Sequence, residues 1–401
     1  MDPTGQVPED GFHTAASTPT ASTNSKGANS KGASPTGAVV PELLEQALSK
    51  LQEIPAVEQA AKLSDEDLKS LIASQLQLVP PNVKTAMSYA IVLLRRDLAD
   101  FRRWELLGEA ISLLPDDFRL EWEDTAFACF LKSLELGNSP TACWYLGQAC
   151  EGEEARDFYL RGKTELEQRC QTYPDSQELR TQLADVYTAL AELYMTDLCF
   201  EPDAEARCIQ YLEDGNRCKP NHFPLLVQQC SYYTVTMKLE EAKDIAQKLY
   251  QCLQRYYLLY KDSPEGSPEH DADRGNTSSM DAQSLEGSVE TLNLEDMPDF
   301  EAQLTVARIM TDIGMHKQAI DVLLFLHEMN DEDDRTWHRL AIAYMLDNQV
   351  EFAHNCVSRA LTLRQRCSVK NEDALAKGEM SIEDELKALK KEIESRKELS
   401  S

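Results

Sequence analysis

This chain predicts an all-α fold of stacked helical hairpins, on three observations. Near the C-terminus, small and large apolar residues return at a fixed interval of 34 positions: Ala307 and Ala319 recur as Ala341 and Ala353, Val306 as Leu340, Met310 as Tyr344, Leu323 as Val357 and Leu326 as Ala360. Upstream, from Leu68 onward, apolar residues recur at helical spacing. The chain has 401 residues of which 42% are apolar, enough for a large core in one long array or two smaller units.

A 34-residue period with this small/large pattern is the signature of the tetratricopeptide (TPR) repeat, a helix–turn–helix unit. Such units stack into a solenoid, here expected as a right-handed superhelix, whose groove holds another polypeptide. The pattern therefore points at a partner rather than a reaction.

The elements follow in order. Residues 1–40 are rich in Ser, Thr, Ala, Gly and Pro and nearly lack large apolar residues. Such a segment cannot bury enough surface to offset its ordering entropy, so a disordered tail is expected. Pro41 with the acids beside it opens the first helix of a region of N-terminal helices and TPR-like repeats, residues 41–260. Ser64-Asp-Glu-Asp starts a second helix as a capping box with Asp67 in the usual Glu position, followed by Leu68, Leu71, Ile72 and Leu76. A third helix begins near Val83.

The repeat template applies from Trp104. Trp104, Leu107, Gly108 and Ile111 pair with Ala126, Phe130 and Ser133 across a turn about six residues longer than standard. Leu146, Gly147 and Cys150 with Ala155, Tyr159 and Gly162 make a second unit with a shortened turn. Leu190, Ala191 and Tyr194 with Cys208, Leu212, Gly215 and Pro220 make a third, lengthened by about five residues. Leu226, Cys230 and Tyr233 with Ala242, Ala246 and Leu249 make a fourth at standard spacing. Small residues let paired helices approach and large ones fill the gap to the next unit.

Residues 261–299 carry 11 acids and 2 bases in a Ser/Gly/Pro-rich context. That is too long for a turn between repeats and reads as an acidic disordered insertion, with Val289–Leu294 as its one apolar patch. The C-terminal TPR repeats occupy 300–365. Residues 366–401 read either as a charged tail or as a capping helix opened by Ser381, with Leu386, Leu389 and Ile393 on one face.

The net charge is −29, and residues 41–260 alone hold 36 acids against 22 bases, so the acidity is not confined to tails. A field of this sign repels nucleic acid and anionic membrane and attracts basic partners; it also serves solubility. Direct nucleic-acid binding is not expected, since basic residues are not clustered with aromatics. The apolar runs are far too short to span a bilayer, and the N-terminus lacks a basic-then-apolar leader pattern, so a soluble intracellular protein is expected. The 11 cysteines form no Cys-x-x-Cys pair; Cys129, Cys143, Cys150, Cys208 and Cys230 lie on amphipathic helices as buried thiols.

Catalytic chemistry has no foothold. There is no phosphate-cradling glycine loop, no nucleophile elbow and no His-Glu-x-x-His pair. Neither catalytic residues, nor a metal site, nor a cofactor is expected. Two acid clusters remain. Glu192, Asp197, Glu201, Asp203 and Glu205 surround Tyr194-Met-Thr-Asp-Leu-Cys-Phe-Glu-Pro-Asp-Ala-Glu. Capping at the helix start near Pro202 explains part of this run. Glu192 and Asp197, read as late in the preceding helix, oppose its dipole, which favours a groove-binding role over a solvated face. Asp331-Glu-Asp-Asp lies in the turn between the last two repeats and reads as solvated.

Trp144-Tyr-Leu-Gly-Gln, Glu154-Ala-Arg-Asp-Phe-Tyr-Leu-Arg-Gly and the Ala191–Glu205 block together resemble the TPR assembly chaperones of large-subunit ribosomal protein L4. The resemblance covers about residues 141–363. Ordinary TPR units lack the Tyr-Met-Thr-Asp-Leu-Cys block, which makes it specific. It implies an acidic inner surface that grips the basic internal extension of newly made L4, keeps it soluble and escorts it to the pre-60S ribosome. Glu192, Asp197, Glu201, Asp203, Glu205 and Tyr194 are carried over as client-binding residues. The resemblance further implies residence in cytoplasm and nucleus, a nuclear import receptor as a further candidate partner, and a monomeric chaperone. The last repeat departs from the family, with Trp337-His-Arg-Leu where a Gly-Trp pair is usual.

Two rivals are a co-chaperone that clamps a C-terminal carboxylate and a scaffold subunit of a larger complex. The clamp needs Lys and Arg on the first helices of repeats, and Leu226-Val-Gln-Gln-Cys-Ser-Tyr-Tyr has neither.

Overall fold

The structure, a computed structural model, describes Ser49 and residues 60–78, 81–262, 297–368 and 382–400. The expected tail at 1–40, the helix start at Pro41 and most of the acidic insertion, Val289–Leu294 included, lie outside the described residues. The described residues are helical and contain no strand, as the repeat pattern requires. The chain divides into two compact units, Met1–Leu225 and Leu226–Ser401.

In the first unit a short 3-10 turn, Ala60–Lys62, precedes α1 (Asp65–Leu76) and α2 (Val83–Arg96). The capping box is realised: the Ser64 hydroxyl accepts from the Asp67 N–H, and Asp67 accepts back from the Ser64 N–H. Hairpins α3 (Phe101–Ser112)/α4 (Asp116–Leu136), α5 (Pro140–Ala149)/α6 (Gly152–Thr172) and α7 (Gln177–Met195)/α8 (Ala204–Cys218) follow. Each pair packs on itself and on its sequence neighbour.

Glycines make the close approaches. A Cβ on Gly108 would sit 2.8 Å from the Phe130 ring, and one on Gly147 would meet the Tyr159 ring. Trp104, Leu107, Ile111, Cys129, Phe130, Cys143 and Leu146 belong to one continuous core. The long turn expected in the first repeat is not a turn. Only residues 113–115 separate α3 from α4, and the extra residues lengthen α4 to 21. In the third repeat the extra residues do form the connection, residues 196–203.

Helix α9 (Phe223–Val235) begins at the end of the first unit, and α10 (Leu239–Asp262) belongs to the second. In the second unit the Cys230 thiol donates to the Ala242 carbonyl at 3.4 Å. Helices α11 (Phe300–Asp312), α12 (His316–Met329), α13 (Asp334–Leu346) and α14 (Val350–Ser368) form the two repeats with the 34-residue period. Ala307, Ala319, Ala341 and Ala353 are all fully buried at the hairpin contacts. Asp299 caps α11 by accepting from the Ala302 N–H at 2.7 Å. Residues 382–400 form helix α15 (Ile382–Ser400), which packs on α14 with Leu386 and Ile393 fully buried and Leu389 half-buried. The described residues of this segment are therefore a helix docked on α14.

Candidate functional site

The acid-rich block forms a rigid connection between α7 and α8. Asp197 does not lie in α7; it follows the C-cap Thr196. Its carboxylate accepts from the Gly152 N–H at 3.0 Å, the first residue of α6. The N-cap Glu151 makes no side-chain cap of its own, so Asp197 supplies from across the fold the acceptor that the α6 N-terminus lacks. There it meets the positive end of a helix dipole, the reverse of the opposition expected from sequence.

Glu201 accepts from the Arg156 guanidinium of α6 at 3.1 Å, with the two side chains 24% and 19% exposed. Asp203 stands at the N-cap of α8 but makes no capping bond. It pairs instead with Arg207 at 2.6 Å, and that hydrogen bond holds its carboxyl below the usual range. Arg207 also donates to the Tyr194 hydroxyl at 2.9 Å and lies over the Tyr194 ring. Tyr194 is only 2% exposed and stacks on Tyr211, so its ring is packing rather than a surface a client touches. Glu205 is exposed in the first turn of α8, where the dipole favours an acid. The block thus spends Asp197, Glu201, Asp203 and Tyr194 on its own architecture.

Glu192 is different. It lies in the last turn of α7, half-buried, and burial raises its carboxyl, with the Asp197 charge adding to the effect. Among the described residues no cation is hydrogen-bonded or ion-paired to its side chain.

A second acid pair of this kind lies on α3, and the sequence reading missed it. The Glu105 carboxylate accepts from the Ser139 hydroxyl, which itself caps α5 by accepting from the Ala142 N–H at 2.9 Å. Burial raises Glu105, opposed by the Ser139 and Thr141 hydroxyls and by Arg169 and Arg102. One turn on, Glu109 is pushed up to about 8, first by burial and then by Glu105. No Lys, Arg or His among the described residues is hydrogen-bonded or ion-paired to Glu109. Tyr145 of α5, stacked on Phe130 at 4.6 Å between ring centroids, is raised by burial and then by both carboxylates. Spacing i, i+4 could have flagged Glu105 and Glu109 as one face. Both carboxylates act on Tyr145 of α5, a residue no local pattern brings to them.

The remaining candidates are quiet. Asp333 caps α13 through the Thr336 N–H at 2.8 Å, and Asp334 pairs with Arg364 at 3.1 Å, so the second acid cluster is structural rather than merely solvated. The cysteines among the described residues are all free, and burial pushes the Cys129 and Cys230 thiols up to about 12. Cys150, read as a helix residue, is instead the half-buried C-cap of α5. Among the described residues no His/Cys/Asp/Glu group is arranged to hold a metal ion. No described helix is long and apolar enough to cross a membrane.

Paired antiparallel helices with small residues at the contacts, and half-buried carboxylates on their first helices, define a TPR-like helical-repeat protein. No family model matches the chain. It is similar to a protein of Schizosaccharomyces pombe described as a probable assembly chaperone of rpl4, with 26% identity over 274 residues, 67% of this chain and 72% of the relative. Its fold is similar to the solved structure of the assembly chaperone of RpL4, Acl4 (residues 1–338), at a TM-score of 0.54 and 18% identity, covering 73% of this chain and 99% of that one. The resemblance carried by the Trp144, Glu154 and Ala191–Glu205 segments thus extends over most of the chain, in sequence and in fold.

Proposed function

We propose that this protein is a non-enzymatic assembly chaperone of ribosomal protein L4, and that desolvated carboxylates of its first unit receive Lys and Arg side chains of the client's basic extension. One observation carries the reading: Glu105 and Glu109, one turn apart on α3, are both raised by burial, and no Lys, Arg or His among the described residues is hydrogen-bonded or ion-paired to Glu109. Burial without a counter-charge favours the protonated, neutral carboxyl, and ionising it there is costly. An arriving cation removes that cost and is itself desolvated only where a counter-charge waits. Glu105 and Glu192 extend the same logic, and Glu205 adds an exposed acid that steers encounter.

The reading also gives a cycle. A ribosomal extension rich in Lys and Arg has no fold until rRNA surrounds it. The chaperone keeps it from nonspecific RNA contact in the cytoplasm, accompanies it into the nucleus with an import receptor, and gives it up to the pre-60S particle. There rRNA phosphates, a denser polyanion, compete for the same cations. The chaperone acts as a monomer. Titration of recombinant L4 into the full chain tests the reading: binding is expected to weaken steeply between about 50 and 500 mM salt as exposed pairs are screened. Affinity for L4 that does not change with salt, or no affinity at all, contradicts it.

A further inference from the structure

The α7–α8 connection holds one side chain for which the fold has no use. Phe200 is 95% exposed, the most open large apolar residue among those described. Singly exposed apolar residues are ordinary on protein surfaces. What sets Phe200 apart is the effort with which its backbone is fixed. Two residues earlier, Leu198 is buried and its N–H bonds to the Leu193 carbonyl at 2.9 Å. The Cys199 N–H bonds to Thr196, that of Glu201 to Leu198 and that of Ala204 to Glu201. Asp197 is tied to the Gly152 N–H and Glu201 to Arg156, so both sides of Phe200 are fastened to α6. Arg207 ties Asp203 to Tyr194 behind it.

Glu201, the residue after Phe200, belongs to an acidic cluster. Arg156, which holds Glu201, also meets Asp157 at 3.1 Å and Glu153 at 3.7 Å, so three carboxylates share one guanidinium. The Glu153 and Asp157 side chains are 76% and 71% exposed. Glu153, Glu154 and Asp157 also line an open cleft together with Phe158 and Arg161.

We propose that the α7–α8 turn is a docking point at which Phe200 packs against an apolar side chain of a Lys/Arg-rich client segment whose cations pair with Glu153 and Asp157. On this view the acids of the block are the mount and Phe200 is the contact. An aromatic on a pre-fixed backbone loses little freedom on binding, which is how a few residues come to dominate an interface. Charge complementarity selects the partner: the acid excess around Arg156 disfavours an acidic segment and attracts a basic one. The inference rests on the L4 reading, since it assigns the docked segment to that client.

The test uses the full chain and recombinant L4 with its extension. Phe200→Ser is expected to weaken L4 binding about tenfold, with unchanged helical circular dichroism and melting temperature, because the side chain touches nothing in the fold. Phe200→Trp is expected to retain binding. A photo-crosslinking phenylalanine analogue at position 200 is expected to capture L4, whereas the same analogue at Phe352, itself 58% exposed, does not. Wild-type binding of L4 together with undiminished binding by Phe200→Ser and no crosslink overturns the docking point and leaves the L4 reading standing. Failure of the wild-type chain to bind L4 overturns the L4 reading and this inference with it.

Discussion

The two units hold desolvated ionisable groups of opposite kind, acids in the first and a base in the second. In the first, Glu105 and Glu109 on α3 are raised by burial, and among the described residues no cation is hydrogen-bonded or ion-paired to Glu109. In the second, burial and the neighbouring Arg308 pull the Arg339 guanidinium of α13 down, and His338 is pulled down by burial and by Arg339. Asp312 and Glu385 partly offset this basic group. Net charge alone, −29 for the chain, hides the contrast. On the proposed function, a cationic client would meet complementary carboxyls in the first unit and like charge near Arg308 and Arg339.

The largest effect expected from this contrast is on binding. Glu109→Gln keeps the shape and removes the charge; it should weaken L4 binding about thirtyfold or more, because a desolvated pair loses one member. Arg339→Gln in the second unit should leave affinity within about threefold or improve it, since it removes a like charge. Isothermal titration of both variants measures the difference directly, and equal losses would erase the contrast between the units.

Stability gives the next effect, of opposite sign at the two kinds of acid. Asp197→Ala leaves the Gly152 N–H without its acceptor and should cost about 1 kcal/mol, read as a lower urea midpoint. Glu109→Gln should stabilise the protein at pH 8. The sign follows from proton counting. A carboxyl raised from 4.5 to about 8 binds more protons folded than unfolded between those values, so stability falls as pH rises through the window, by at most about 1.4 kcal/mol per unit, and is flat above it. The gain from Glu109→Gln should therefore shrink toward pH 4.5. A variant no more stable than wild type at pH 8 would mean that Glu109 is better solvated than its surroundings indicate.

The smallest effect belongs to Glu205. It is exposed, and its neutralisation should slow association with L4 at low salt by about threefold or less, with little change in dissociation. Stopped-flow mixing at two salt concentrations separates the two rates.

Much of this fold is legible in the sequence because the repeat writes it twice. The Ala307/Ala341 and Ala319/Ala353 pairs mark hairpin contacts at any distance, and the Ser64–Asp67 box is local. The site was less legible. Asp197 reads as a helix-end acid until α6 is placed beside it, 45 residues earlier in the chain. Glu201 and Arg156 are separated by the same interval. Glu105 and Glu109 look like two of many carboxylates on an acidic chain, and only their burial, on a helix that packs on its neighbours, makes them different. The length of α4 was misread for a simpler reason: a repeat template counts residues between helices and does not say whether the surplus coils or continues the helix.

Proton release on client binding tests the central claim most directly. At pH 7 Glu109, raised to about 8, is mostly protonated in the free protein, and a client cation seated beside it would drive the proton off. Titrating L4 into the full chain in two buffers of different ionisation enthalpy should show close to one proton released, and none with Glu109→Gln. Equal heats in both buffers, with unchanged affinity in the variant, would contradict the account.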